Sequence, residues 1–267
     1  MLYNHNGKLC ETVEIGVNNR SFLYGDGLFE RLRVFNGKVF NHDNHKKRLT
    51  YSLEQLELNL EITIDHLFHL VEELVKENKI ELSSSVRITI YRNEGGLYTP
   101  FTNSASYIIE SSVVPQDSFV LSDGLKLGVY DKYKKSLSAI SNIKSSSALL
   151  YVLASNNKRE LNFNELLLLN DFDRPIEGTN SNIFIVKGDK LVTPPLSEGP
   201  LAGCMRALLI EHFEAVEKPL EIKDLEYADE IILTNCNGVR WISQFGDKSD
   251  FTNDKTKEII SFLNTLI

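Results

Sequence analysis

"LFERLRVFNGKVF", residues 28–40, places two apolar runs on either side of Asn36-Gly37. An Asn-Gly pair between such runs is the strongest short-range hairpin signal, because both positions tolerate positive φ. The strand period of two predicts that Phe29, Arg31, Arg33 and Phe35 share one face. Two arginines on one strand face make either a solvated face or a cationic surface for a carboxylate or phosphate.

Outward from this hairpin the first half reads as α+β. Residues 43–58, with an Asp/Asn start and leucines at 49, 53, 56 and 58, predict a helix. Residues 65–79 predict a second, amphipathic helix. SVRITIYR (85–92) and ASYIIESSVV (105–114) predict strands, joined by the glycine-containing loop NEGGLYTP. The polar stretch 115–124 is the expected linker between a small α/β domain (1–114) and a larger one (125–267). The second half predicts a strand at 125–132 and a helix from about Ser147 to Leu161. A buried strand at 165–171, a hairpin over 182–195, a helix at 203–216, a strand at 229–235 and a C-terminal helix at 253–267 follow.

The chain has 267 residues and a formal net charge of −8, which argues against a polyanionic partner. No apolar run approaches the roughly 20 residues of a membrane span. The N-terminus lacks a basic region followed by an apolar one, so no signal peptide is expected, and three scattered cysteines suit a reduced cytoplasm. His42 and His45 are three apart, but a metal site needs further ligands, and polar residues at a helix start explain them better.

Four places carry candidate chemistry. Lys144, in "ISNIKSSSALLYVLA" (140–154), is either a surface charge before a helix or a reactive amine beside small serines. Glu177, in "RPIEGTNSNIF", stands where a polar turn enters an apolar strand, a place from which a carboxylate can pair with a protonated ring nitrogen. "PPLSEGPLAGCMR" (194–206) feeds a helix whose free N–H groups suit phosphate. "TNCNGVR" (234–240) is a second strand-to-turn junction. With an arginine added, these features suggest a phosphorylated cofactor.

In order and spacing, these stretches resemble the class IV aminotransferase family, the fold type IV enzymes that use pyridoxal 5′-phosphate (PLP). The match runs over nearly the whole chain. "RSFLYGDGLFERLRVFNGKVF" (20–40) resembles its N-terminal signature, and "HKKRL" (45–49) its H-x-x-R-L. "NIK" (142–144), "EGTNSNIF" (177–184) and "LVTPPLSEGPLAGCMR" (191–206) resemble its lysine, glutamate and phosphate-loop motifs. The resemblance implies a small α/β domain, a larger domain with a barrel-like sheet, and a homodimer. It implies that Lys144 carries the Schiff base, Glu177 meets the pyridine nitrogen and Arg48 contacts the phosphate. The backbone of Cys204, Met205, Cys236 and Asn237 would complete the phosphate site, because the hydroxyls usual at those turns are missing. Arg33, Arg31, Tyr24 and Tyr98 would face the substrate. Leu149 stands where the family often has tyrosine. Gly-Cys-Met-Arg at 203–206 and "RNEGGLYTP" (92–100) resemble the aminodeoxychorismate lyases, so lyase activity, yielding 4-aminobenzoate and pyruvate for folate biosynthesis, is the leading expectation. Transamination of branched-chain or D-amino acids is the alternative.

Overall fold

The computed structural model describes residues 1–267. The chain divides into two compact units, Met1–Ser118 with Ile143–Ser147 and Ile267, and Phe119–Asn142 with Ala148–Leu266.

The first unit is one antiparallel sheet covered by helices. Its elements are β1 (Tyr3–His5), β2 (Lys8–Cys10), α1 (Arg20–Tyr24), β3 (Gly27–Phe35), β4 (Lys38–Val39), α2 (His42–Gln55), α3 (Ile64–Glu77), β5 (Ser83–Arg92) and β6 (Ala105–Val114). The strand order is β2-β1-β6-β5-β3-β4. The β3–β4 hairpin turns at Asn36-Gly37, with φ of 49° and 74°, as the two positive-φ positions require. Thr63 caps α3 by accepting from the His66 N–H. The α3 stripe of Leu67, Phe68, Val71, Leu74 and Val75 packs with Leu32, Val86, Ile88 and Ile109 of the sheet. Each of these leucines is worth about 2–5 kcal/mol against alanine.

Among the boundaries that differ from the sequence reading, two have a clear local cause. Helix α2 ends at Gln55 rather than residue 58, because Glu57 adopts φ 52° and the Arg92 guanidinium takes the Leu56 and Glu57 carbonyls. The helix expected from Ser147 begins at Leu149, since Ser145 and Ser146 are tied to the start of β3 instead. Phe29 N–H donates to the Lys144 carbonyl and Ser146 N–H to that of Gly27, both at 2.9 Å, with an antiparallel bridge between Leu28 and Ser145. Residues 143–147 thus lie along the start of β3.

The second unit holds β7 (Leu125–Lys135), α4 (Leu149–Leu161), β8 (Glu165–Asn170), β9 (Pro175–Gly178), β10 (Asn182–Lys187) and β11 (Lys190–Thr193). After these come α5 (Cys204–Phe213), β12 (Val216–Glu217), α6 (Ile222–Glu226), β13 (Glu230–Asn235), β14 (Gly238–Phe245) and α7 (Asp254–Asn264). The order β10-β13-β14-β7-β8-β9 closes on itself, because β9 pairs with β10 through Glu177 and Asn182. This is a six-stranded barrel, mixed because β7 runs parallel to both β8 and β14. All six residues of β8 are buried, which explains why ELLLLN shows no alternation.

Candidate active site

In the second unit, strand register gathers the polar groups. Asn182 lies between Glu177 on β9 and Thr234 on β13. Glu177 is 2% exposed. Its Oε1 accepts from Lys135 Nζ at 2.6 Å and from the Tyr151 hydroxyl at 2.8 Å, and its Oε2 from the Leu201 N–H at 2.8 Å. Burial, helped by the Glu177 charge, pushes the Tyr151 phenol far up, so it remains a donor. Asn182 Nδ2 donates to the Leu201 carbonyl at 2.8 Å, which lays the 201–203 loop over the strand row. A Cβ on Gly203 would meet Asn182 Oδ1 at 1.8 Å, so only glycine allows this approach.

Gly203 is also the N-cap of α5 and has no side chain to close its first turn, where Cys204 and Met205 are buried. Arg206 anchors the helix start, donating to the Pro194 carbonyl at 2.8 Å and to Glu217. At the β13–β14 turn, the Asn237 N–H donates to Asn235 Oδ1 at 2.9 Å, and Cys236 is half-buried. The Thr234 hydroxyl is buried without a hydrogen-bond partner.

In the first unit, the two faces of β3 carry different chemistry. Toward the helices, Glu30 accepts from Arg48 and from His45 Nδ1–H, all buried. Burial alone would raise the Glu30 carboxyl, but Arg48 and His45 outweigh it and hold it at about 2. Burial likewise lowers His45 despite the opposing pull of Glu30. Arg48, expected at a phosphate, thus already shares a carboxylate.

On the other face, Lys144 Nζ stands over the Phe29 ring at 4.5 Å and Arg87 Cζ over the same ring at 3.9 Å. Arg87 on β5 is directly opposite Arg31, whose Nη1 donates to Ser85 Oγ at 2.8 Å. Burial lowers the Arg87 pKa, with Arg31 adding to the effect and Glu110 opposing it. Arg33 is buried, donates to Ser83 Oγ and the Gln116 carbonyl, and lies over Phe35. Tyr24 and Tyr98 tilt against each other at 5.7 Å. Arg20 fixes their surroundings by donating to the carbonyls of Gly95, Gly96 and Leu97.

Sequence reasoning passed over Glu30, Arg87, Lys135 and Tyr151. Arg87 alternates with apolar residues in SVRITIYR, which marks its face but not the Phe29 ring beneath it. Lys135 stands three residues beyond the expected strand end.

The model of the family described as amino-transferase class IV matches residues 27–245. The chain belongs to the class IV aminotransferases. A putative branched-chain-amino-acid aminotransferase of Methanocaldococcus jannaschii is 30% identical over 237 residues, covering 86% of this chain and 82% of that protein. A D-alanine aminotransferase of Staphylococcus epidermidis is 27% identical over 243 residues, covering 85% and 82%. Among solved structures, the branched-chain aminotransferase of Thermoproteus uzoniensis superposes with a TM-score of 0.88 at 24% identity, over 98% of this chain and 93% of its own. A putative 4-amino-4-deoxychorismate lyase of Legionella pneumophila superposes at 0.86 and 24% identity, over 96% and 97%. At that identity the structures speak for the fold, which is fold type IV.

Class IV aminotransferases use PLP, and the second unit suits it. A buried carboxylate fits a ring nitrogen, an uncapped helix start fits a phosphate, and the partnerless Thr234 hydroxyl lies in the same strand row.

Proposed function

We propose that this class IV aminotransferase transfers an amino group between a small amino acid, branched-chain or of D configuration, and a 2-keto acid. The observation that carries the reading is the Phe29 ring, which bears the Lys144 amine and the Arg87 guanidinium. An amino-acid substrate needs a base for its α-proton and a planar cation for its carboxylate. PLP, when bound, supplies the electron sink. Lys144 takes the α-proton and returns it elsewhere. Glu177 holds the ring nitrogen. Arg48, with the backbone N–H groups of Cys204, Met205 and Cys236, serves the phosphate, while the Asn237 N–H stays on Asn235 Oδ1 and fixes the turn. Arg87 and Arg31 take the substrate carboxylate. Arg33, already bonded to Ser83 and Gln116, supports the strand behind them. Tyr24 and Tyr98 border the substrate.

The similarity to branched-chain and D-alanine aminotransferases supports transamination over elimination. This reverses the order drawn from the sequence. The lyase stays as the second reading on one feature, Gly-Cys-Met-Arg at the start of α5. A substrate panel separates the two. Amino transfer from L-leucine or D-alanine that requires a 2-keto acid is expected. Pyruvate and 4-aminobenzoate released from aminodeoxychorismate without any acceptor would establish the lyase instead. Lys144→Ala is expected to abolish the visible absorption band of the PLP-loaded protein, and an unchanged band removes Lys144 from its role.

A homodimer belongs to the same proposal. Phe22, Tyr98 and Phe101 of the first unit are 79%, 90% and 85% exposed, an apolar display that a second copy would cover.

A further inference from the structure

Lys135 ends β7 with its side chain buried, and the function above gives it no task. Its ammonium lies 2.6 Å from Glu177 Oε1 and faces the Tyr151 ring at 5.4 Å. Burying a lysine is expensive unless the charge is paired. Glu177 supplies that pairing. A carboxylate offers about four lone-pair positions. The protein fills three on Glu177: Lys135 and Tyr151 on Oε1, and the Leu201 N–H on Oε2. Only one of these donors is a cation, since the Tyr151 phenol is held far above its ordinary value by burial and by the Glu177 charge. On neighbouring elements, Lys158 of α4 and Glu165 of β8 engage each other and Thr179, and Arg240 of β14 lies 3.5 Å from Glu165. The residue of β10 opposite Glu177 is the neutral Asn182.

We propose that Lys135 is a positioning residue acting through Glu177: it divides the carboxylate's charge between its own ammonium and the ring nitrogen of the cofactor, and so sets how firmly that nitrogen holds a proton. The inference rests on Glu177 as the ring-nitrogen partner. The sign follows from charge. A cation within about 4–6 Å disfavours a protonated ring, while the carboxylate favours it. Removing the lysine charge leaves the carboxylate unopposed, so the ring nitrogen keeps its proton to higher pH. The strength of the electron sink is then tuned by two side chains rather than one.

The test uses holoenzyme loaded with PLP labelled with 15N in the ring, and follows the ring-nitrogen resonance against pH. Lys135→Met is expected to move the resonance toward the protonated ring and to raise its midpoint by about one to three pH units. Lys135→Arg, which keeps the charge, is expected to restore the parental values. Tyr151→Phe is expected to shift the resonance the same way by less. An identical resonance and midpoint in the parent and Lys135→Met overturns the proposal, as does a ring fully protonated throughout in both. Should Lys135→Met not fold, Lys135→Gln carries the same expectation and the same overturning result. Glu177→Gln separates the layers. If it leaves the resonance unmoved, the pairing of Glu177 with the ring is wrong. If it moves the resonance while Lys135→Met does not, only the role of Lys135 falls.

Discussion

Glu30 is a carboxylate on the core-facing side of β3, between Leu28 and Leu32. Its ordinary pKa of 4.5 falls to about 2 in the fold. A depressed acid stabilises above its unfolded value and loses that contribution as pH falls toward its folded one. The difference corresponds to about 3 kcal/mol, present above about pH 4.5 and lost on the way to about pH 2. His45, lowered by burial, acts in the same direction, since protonating it opposes the fold. Glu30→Gln is expected to cost about 3–5 kcal/mol in denaturant titrations, because it leaves the buried Arg48 charge uncompensated. It should also flatten the acid limb of the stability profile. An unchanged midpoint at neutral pH would contradict this. At this scale the sequence singled out Lys144 and Glu177 as candidates, because their motifs lie in short stretches. It did not show Glu30, Arg87 or Lys135, because their partners are 18, 58 or 42 residues away and meet them only in the folded chain.

Among the elements, turn chemistry was legible and capping from afar was not. Asn36-Gly37 announced its hairpin. Asn6-Gly7 makes the same turn between β1 and β2, with φ of 49° and 82°, but the strands beside it are too short to show a period. Helix α7 has no side-chain cap from Asn253. Glu230 of β13 takes over, accepting from the Lys255 and Thr256 N–H groups at 3.0 and 2.7 Å. Burial raises the Glu230 pKa despite these bonds. A raised acid favours the fold fully below its unfolded value and loses this as pH rises through the folded one. Glu230→Gln, which keeps an acceptor and drops the charge, is therefore expected to leave thermal stability at pH 7 unchanged or higher. A large loss would mean that the charge itself holds α7. At the α5 entry, Gly203→Ala forces Asn182 or the loop aside. It is expected to weaken PLP binding in fluorescence titrations at least tenfold, a cost of about 1.4 kcal/mol, while the far-ultraviolet spectrum stays parental.

For the whole molecule, strand and helix patterns were enough to expect a small α/β part and a larger part, and the family resemblance added the barrel-like sheet. Closure of the barrel was not readable from them, because it depends on the Glu177–Asn182 pairing of β9 with β10. The choice between amino transfer and elimination was not readable either, since motifs that hold a cofactor are shared by enzymes that differ in what they do with it. Analytical ultracentrifugation at micromolar concentration is expected to show a dimer, and Phe101→Glu to shift it toward monomer. A monomeric parent would remove the second copy from the proposal. The chain leaves the first unit at Ser118 and returns to it at Ile143 to lay five residues along β3. Neither unit therefore corresponds to an uninterrupted segment of its gene. A fragment stopped at residue 118 would present β3 without the strap, with the Phe29 N–H and the Gly27 carbonyl bared. A single crossover between residues 118 and 143 would therefore set the amine-bearing strap of one relative against the sheet of another.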